Sequence, residues 1–309
     1  MRRRIIVGAL LVAGAAAVVA GMAVIGDYLS DPPSASCAVP PTTFGTTAPF
    51  FDHQEVAVHY NCEGASQAGT LYLPSGPGPY AAVVWIHGAG REARLGFGGI
   101  VKDLVESGVA VFSYDKRGVG ESEGSCCPGD NGHFNLLSAD VVGAVSALFS
   151  RSDVRKDEIG LVGASQAGWI APKAAVASSH VAFVALASAT PVSERQTNLY
   201  ERLARGDEGQ LTKQEISRRL AAAGPSGFDP VPYLKQMKVP SLWLFGTEDD
   251  RIPVEESLRI LDQLRSEKTD VSTYTFAGAG HGLLDTPPSD PRAPAILLDW
   301  IAKRVHLAR

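Results

Sequence analysis

One serine in the sequence stands in a setting that suits a nucleophile. Ser165 lies in Gly163-Ala164-Ser165-Gln166-Ala167-Gly168, where a strand pattern gives way to a helix pattern. A serine on such a sharp turn presents its hydroxyl at the end of a sheet. The usual pattern has glycine two residues after the serine, and a methyl group is small enough to fit at Ala167. The turn alone is weak evidence, because a serine can also cap the following helix.

The base and the acid that a serine nucleophile needs occur later in the chain. His281 lies in Gly278-Ala279-Gly280-His281-Gly282, directly after the last predicted strand. A packing role explains a histidine among glycines poorly. Three acids, Glu248, Asp249 and Asp250, follow another predicted strand and compete for the acid role. The order serine, acid, histidine is the one expected for a triad on an α/β sheet.

A tetrahedral intermediate also needs preorganised hydrogen-bond donors, and the loss of one typically costs on the order of 3 kcal/mol. The backbone N–H of Gln166, at the start of the helix, is one candidate for an oxyanion hole. The N–H of Ala89 in His87-Gly88-Ala89-Gly90 is the other, since glycines let the backbone approach a substrate closely. We expect His87 to order this loop and not to act as a second catalytic histidine.

Strand and helix patterns alternate through most of the chain and must position these residues. Residues 55–59 and 69–73 predict a leading antiparallel hairpin. Apolar strands then alternate with helices, which predicts an α/β fold with a mainly parallel sheet and helices on both faces. Ligands in such folds bind beyond the carboxyl ends of the strands. The further predicted strands are 81–87, 110–114, 159–162, 181–187, 241–245 and 271–276, and the helices are 99–107, 135–149, 166–178, 254–264 and 293–305.

An insertion at about 191–240 interrupts this alternation. A first helix is predicted at 193–204, and Thr212-Lys213-Gln214-Glu215 has the pattern of a capping box that starts a second helix. Two short helices followed by Gly- and Pro-rich chain predict a small lid over the site. The alternative is a decoration that faces solvent.

The N-terminus has the pattern of an export segment. Arg2, Arg3 and Arg4 precede an uncharged apolar run of about twenty residues, which is the length of a bilayer span. Residues 1–26 are therefore predicted to be a signal peptide or a membrane anchor, with both forms left open. Residues 27–50 are predicted to be a flexible tether and 51–309 the folded domain. The protein is expected to be exported, secreted or tethered to the membrane.

Export changes the interpretation of the four cysteines. In an oxidising compartment Cys37, Cys62, Cys126 and Cys127 favour disulfides, and their three possible pairings stay open. No histidine pair stands near them at zinc-ligand spacing, so no metal site is predicted.

The overall composition limits the function classes. A chain of 309 residues with 45% hydrophobic and 20% charged residues can bury one large core, which argues against wholesale disorder. The net charge of −5 argues against a nucleic-acid surface, which needs clustered positive charge. This composition and this net charge are compatible with a small-molecule partner.

Several of these segments together resemble the α/β-hydrolase superfamily, specifically its bacterial serine aminopeptidase-like and dienelactone-hydrolase-like branch. The resemblance covers about 55–309 and implies a cofactor-free hydrolase of small acyl esters, thioesters or amides. Its pattern Gly-x-x-Asp-x-x-Ile-Pro selects Asp249 as the acid. It also implies that Asp115 and Arg117 form a structural pair. The segments that carry the resemblance are 69–74, 87–90, 114–122, 163–169 and 246–253.

The expected reaction has two steps, acylation of Ser165 and hydrolysis of the acyl-enzyme by water, and a carboxylic ester is the first candidate substrate. An aminopeptidase is an alternative, in which Glu194, Glu201 or Glu208 of the lid would hold a free amine. Acyl transfer is another. A membrane-tethered binding module without catalysis is the alternative from a different class. The preference between esters and peptides, and the oligomeric state, stay open.

Overall fold

A computed structural model describes residues 42–127, 131–267 and 269–307. The predicted export segment, residues 27–41 of the predicted tether, and Cys37 lie outside this part. The end of the predicted tether is not free of structure. Residues 43–44 and 48–49 form two short strands that pair with the first long strand, because the chain there runs along an otherwise unpaired edge.

The described residues form one mixed sheet. The first four strands are antiparallel neighbours, and β4 joins the rest by an antiparallel pairing with β6. From β6 onward all neighbours are parallel, in the order β6-β5-β7-β8-β9-β10. The strands are β1 Thr43–Phe44, β2 Ala48–Pro49, β3 His53–Cys62, β4 Ala65–Pro74, β5 Tyr80–Ile86, β6 Val109–Tyr114, β7 Val154–Ala164, β8 Phe183–Ala187, β9 Ser241–Gly246 and β10 Val271–Phe276.

Helices cover both faces of this sheet. Successive side chains of a strand point to opposite faces, so Val84 and Ile86 of β5 enter one core and Val83 and Trp85 the other. Helices α2, α3, α6 and α7 pack on the first face, and α1 and α8 on the second. The predicted α/β fold and the leading hairpin are confirmed. The helices are α1 Gly99–Glu106, α2 Asn131–Ser150, α3 Ala167–Ala177, α4 Glu194–Ala204, α5 Lys213–Ala223, α6 Val231–Gln236, α7 Val254–Ser266 and α8 Arg292–Ala302.

The insertion between β8 and β9 contains three helices, one more than predicted. Helix α4 follows Ser193, and α5 starts at a capping box in which the Glu215 N–H donates to Thr212 Oγ1 and the Thr212 N–H donates to the Glu215 carboxylate. Apolar side chains of α4 and α5 form a small core of their own around Leu203 and Ile216. The short helix α6 was missed because it has only six residues and begins next to prolines.

The predicted pairing of Asp115 with Arg117 is wrong. The Asp115 carboxylate instead accepts from Arg94, at 2.5 Å for the guanidinium and 2.8 Å for the backbone N–H. The Arg117 guanidinium forms a buried two-point pair with Asp140 of α2, with Nε 2.9 Å from Oδ2. Neighbours in the chain could not pair here because the loop after β6 directs their side chains to different elements.

One described helical segment, His133–Ser150 of α2, is long and apolar enough to span a membrane. Because 72% of it is buried inside the protein, we interpret it as a core helix. The sulfur atoms of Cys126 and Cys127 are adjacent in the loop before α2, and disulfide formation stays a prediction.

Candidate active site

Ser165 occupies the sharp turn between β7 and α3. Its φ is +55°, in the left-handed region that residues other than glycine rarely adopt, so the surrounding structure must hold it there. The Ser165 N–H donates to the Ala187 carbonyl at 3.2 Å, and its own carbonyl accepts from the Gly168 N–H at 3.1 Å. These bonds attach the turn to the end of β8 and to the first turn of α3.

Two glycines around this turn have no room for a side chain. A Cβ on Gly163 would lie 2.6 Å from the Ile86 carbonyl oxygen and 2.7 Å from the Ala167 methyl, and a Cβ on Gly168 would lie 2.5 Å from the Thr190 oxygen. The departure from the usual pattern at Ala167 is therefore accommodated by the missing side chain of Gly163. A methyl group fits at position 167, whereas one at position 163 would also meet the Ile86 carbonyl oxygen.

The imidazole of His281 is held by a buried carboxylate. His281 Nδ1 lies 2.8 Å from Oδ2 of Asp249, whose side chain is fully buried while that of His281 is 18% exposed. The other oxygen, Oδ1, accepts from the N–H groups of Arg251 and Ile252 at 2.9 and 3.1 Å. Both carboxylate oxygens are thus engaged, which fixes the orientation of the ring.

The neighbouring acids do not make this contact. The Glu248 side chain is 61% exposed and lies 3.6 Å from Lys213, and the Asp250 side chain is 57% exposed and lies 4.0 Å from Arg205. Of the three acids considered from the sequence, only Asp249 points at His281.

Ser165 and His281 line the same cavity, which lies at the carboxyl ends of β5, β7 and β8 and has a volume of about 600 Å³. Its apolar lining includes Trp85, Leu95 and Ile100, and Arg251 and Asp285 bring charge to it. The cavity is large enough for a small acyl substrate.

Of the two residues predicted to supply oxyanion donors, Ala89 lines this cavity. Gln166 immediately follows Ser165 at the start of α3. Within the described residues, neither the Ala89 nor the Gln166 N–H donates a hydrogen bond to protein. By contrast, the Gly88 N–H is engaged by the Glu92 carboxylate at 3.1 Å.

His87 is buried beneath this loop. Its Nε2 donates to the Tyr114 carbonyl oxygen, and its Nδ1 lies 3.4 Å from Glu92. Burial alone would raise the pKa of Glu92, but His87, Lys116 and the Gly88 N–H together lower it. His87 and Glu92 thus order the loop.

Sequence reasoning missed Lys116, which is only 1% exposed. Its Nζ donates to the Gly88 and Gly90 carbonyls at 2.7 and 3.0 Å and to Gln166 Oε1 at 2.7 Å. Burial lowers the pKa of Lys116 to about 8, and the charge of Glu92 acts in the opposite direction. The only signal in the sequence was a lysine among the residues that follow an apolar strand, a place where buried ligand sites form.

The insertion contacts the site from the side of Asp249. The Tyr200 hydroxyl of α4 donates to the Asp249 carbonyl oxygen at 2.9 Å, and burial together with the charge of Asp249 raises the pKa of Tyr200 to about 12. None of the three lid glutamates proposed for an amine site lines the cavity of Ser165. Among these acids, Glu194 contacts Asn198, Glu201 pairs with Arg205 and Glu208 pairs with Arg219.

One plant protein is similar in sequence to part of this chain. The acylamino-acid-releasing enzyme of Arabidopsis thaliana is 24% identical over 102 residues, which is 33% of this chain and 13% of that protein. The chain therefore matches only a small part of that relative's length.

Solved structures share the fold at low sequence identity. An acetyl xylan esterase from Paenibacillus sp. R4 superposes with a TM-score of 0.63 at 16% identity, covering 93% of this chain and 94% of that one. The Pyrococcus horikoshii acylaminoacyl peptidase has a TM-score of 0.60 at 16% identity, covering 88% of this chain and 42% of that one. The resemblance to the α/β-hydrolase superfamily is confirmed for the fold.

A model of the prolyl oligopeptidase family matches residues 103–307, which include the serine turn, the aspartate and the histidine described above. This match agrees with the serine hydrolase class predicted from the sequence. Because it spans well over half of the sequence, the chain belongs to the prolyl oligopeptidase family.

Proposed function

We propose that this chain is a serine hydrolase of small acyl substrates, with Ser165 as nucleophile, His281 as general base and Asp249 as the residue that orients the histidine. The observation that carries the proposal is the strained turn of Ser165 in the same cavity as His281, whose Nδ1 is engaged by Asp249. A nucleophile, a base and an orienting acid in this relation make a hydroxyl reactive.

The contact between His281 Nδ1 and Asp249 determines which nitrogen of the imidazole takes part in the reaction. With Nδ1–H donated to Asp249, Nε2 is the nitrogen that accepts the Ser165 proton as Oγ attacks the substrate carbonyl. The amides of Ala89 and Gln166 stabilise the oxyanion, and the protonated His281 gives its proton to the leaving group. Water then attacks the acyl-enzyme with His281 again acting as base, which releases the acid and restores Ser165.

The cavity supports an ester of a small acid as the preferred substrate. Its apolar lining by Trp85, Leu95 and Ile100 suits a short acyl chain. Peptide cleavage is the second candidate and is favoured by the family to which the chain belongs.

A fluorophosphonate probe and a substrate panel test the proposal. The wild-type protein should be labelled at Ser165 and should hydrolyse p-nitrophenyl esters of short acids faster than aminoacyl or acylaminoacyl p-nitroanilides. Ser165→Ala should abolish both labelling and turnover. Ser146→Ala, a substitution on α2 whose hydroxyl bonds only to the Val142 carbonyl, is the matched control and should retain both. An unlabelled wild type would support the binding-module alternative, and faster amide cleavage would favour the peptidase.

The N-terminal sequence supports export, with the protein either secreted or tethered to the membrane. Arg2, Arg3 and Arg4 before a neutral apolar run are typical of an export segment. Fractionation of the expressing cells tests this: the protein should be extracytoplasmic, and detergent should release it if the segment is retained.

Mass spectrometry with thiol alkylation before and after reduction tests the predicted disulfides.

A further inference from the structure

Lys116 contacts both segments that carry the proposed oxyanion donors. It follows β6 and is almost completely buried, although no carboxylate forms a salt bridge with it in the described structure. The neighbouring charged residues are engaged elsewhere, Asp115 with Arg94 and Arg117 with Asp140. An ammonium group has three protons, and Lys116 donates them to three oxygens, two in the 87–90 loop and one on Gln166.

The bond to Gly88 determines where the Ala89 N–H points. The Gly88 carbonyl and the Ala89 N–H belong to one peptide group, and this peptide bond is trans. In a planar trans peptide the C=O and N–H bonds point in opposite directions. Because the Gly88 oxygen points at Lys116 Nζ, 2.7 Å away, the Ala89 N–H points away from the lysine. Ala89 lines the cavity of Ser165.

The loop needs such a constraint. Gly88 and Gly90 flank Ala89, and Gly90 has a φ of +92°, so the backbone here has access to many conformations. Lys116 binds the carbonyl oxygens of Gly88 and Gly90, the residues before and after Ala89. Its third bond connects the loop to Gln166, the residue that follows the nucleophile. A positive charge on a carbonyl oxygen also polarises the peptide and strengthens its N–H as a donor.

We propose that Lys116 is a positioning residue for the oxyanion hole: it orients the Ala89 N–H through the Gly88 carbonyl and fixes this loop to the Gln166 segment. The proposal rests on the serine hydrolase function proposed above. Lys116 acts through the Gly88 and Gly90 carbonyls and the Gln166 side chain, and it forms no hydrogen bond with the nucleophile or the base.

The ionisation of Lys116 offers a readout that a purely structural lysine would not give. Burial lowers the pKa of Lys116 to about 8. The charge of Glu92 opposes this shift, and the titratable side chain of His87 lies 3.4 Å from Glu92. Above pH 8 the amine loses its charge and one of its three donors, so kcat should decline.

The experiment compares Lys116→Met with Lys116→Arg and with Lys173→Met, a matched change at another buried lysine, which bonds to Asn135 and Tyr233. Active sites are counted by fluorophosphonate labelling to completion, and kcat and KM are measured with p-nitrophenyl acetate. Lys116→Met should lower kcat per labelled site by about 100-fold or more, as loss of an oxyanion donor does, with KM nearly unchanged. Lys116→Arg should recover part of this loss, whereas Lys173→Met should lower Tm without lowering kcat per site.

A kcat per site for Lys116→Met close to that of the wild type would overturn the proposal, and so would an equal loss for Lys173→Met. If Lys116→Met does not fold, the pH profiles of kcat for the wild type and for Glu92→Gln test the proposal instead. The wild-type kcat should decline above pH 8, and Glu92→Gln should move the decline to lower pH because a negative charge is removed from the lysine. A flat profile in both would overturn the proposal. Failure of the proposed function itself is distinct: wild type would not be labelled, or Ser165→Ala would remain active.

Discussion

His281 Nδ1 lies 2.8 Å from Oδ2 of Asp249, and the second oxygen of this carboxylate is held by two backbone N–H groups. The carboxylate is therefore also held by bonds that do not involve the histidine. Such an arrangement selects one tautomer of the imidazole and stabilises its protonated form during the reaction.

Replacing Asp249 by asparagine should lower kcat strongly. The amide can present an N–H to Nδ1, which favours the wrong tautomer, and we expect a loss of about 10³–10⁴-fold in kcat. Asp250→Asn is the control, because this exposed side chain lies 4.0 Å from Arg205 and does not contact the ring. Steady-state kinetics with one ester at several pH values check the pair. Equal losses in the two variants would contradict the role of Asp249.

The serine turn should tolerate removal of a methyl group better than addition of one. Gly163→Ala would bring a Cβ within 2.6 Å of the Ile86 carbonyl and 2.7 Å of Ala167. We expect a loss of stability of about 1–3 kcal/mol and a displaced Ser165 with lower activity. Ala167→Gly should cost only about 1 kcal/mol, the propensity difference within a helix, and keep activity. Urea unfolding and ester kinetics test both variants. Combining Gly163→Ala with Ala167→Gly should recover only part of the lost stability, because the contact with the Ile86 carbonyl remains.

Breaking the buried pair of Arg117 and Asp140 should destabilise the fold without a specific effect on catalysis. Arg117→Met leaves the carboxylate of Asp140 buried without its partner, and such a loss typically costs about 3–5 kcal/mol. Arg259→Met breaks an exposed pair with Glu256 and should change the free energy of unfolding little. Chemical denaturation gives the free energy of unfolding of each variant, and kcat per labelled site should be the same in both variants. A lower kcat per site only in Arg117→Met would contradict the structural role.

The contact of Arg94 with Asp115 should make part of the stability depend on pH. Burial opposes ionisation of Asp115, but the bonds from Arg94 and the Glu121 N–H lower its pKa overall. A carboxyl group whose pKa is lower in the folded state stabilises the fold above its unfolded pKa of about 3.9, and this contribution is lost as pH falls. The difference in unfolding free energy between wild type and Arg94→Met should therefore be largest near pH 6 and shrink toward pH 3. A difference that stayed constant over this range would refute the linkage.

The hydroxyl of Tyr200 should stabilise the contact between the insertion and the aspartate loop. Tyr200→Phe removes the hydrogen bond to the Asp249 carbonyl oxygen, and we expect a loss of about 1 kcal/mol in stability. Limited proteolysis should then cut the insertion faster. Tyr274→Phe, at an exposed position of β10, is the control and should behave as wild type. Unchanged proteolysis in Tyr200→Phe would show that other contacts hold the insertion.

The sequence determined the features that depend on neighbours in the chain. Apolar strands alternating with helices predicted the α/β sheet because burial on both faces requires near-continuous apolar strands. The local pattern at Thr212 and Glu215 predicted the capping box that starts α5, since its two bonds lie within one turn. The order of the serine, the acids and the histidine predicted which strand ends should carry the site.

Only the tertiary structure decided which groups meet across the fold. Asp115, Lys116 and Arg117 are consecutive, yet they contact Arg94, the 87–90 loop and Asp140, because the turn after β6 sends each side chain to a different element. Likewise the sequence offered three adjacent acids, and the backbone amides around Asp249 select the one that engages His281. Local patterns specify turns and elements, whereas the partners of buried charges depend on packing between segments far apart in the chain, where an unpaired charge would be costly.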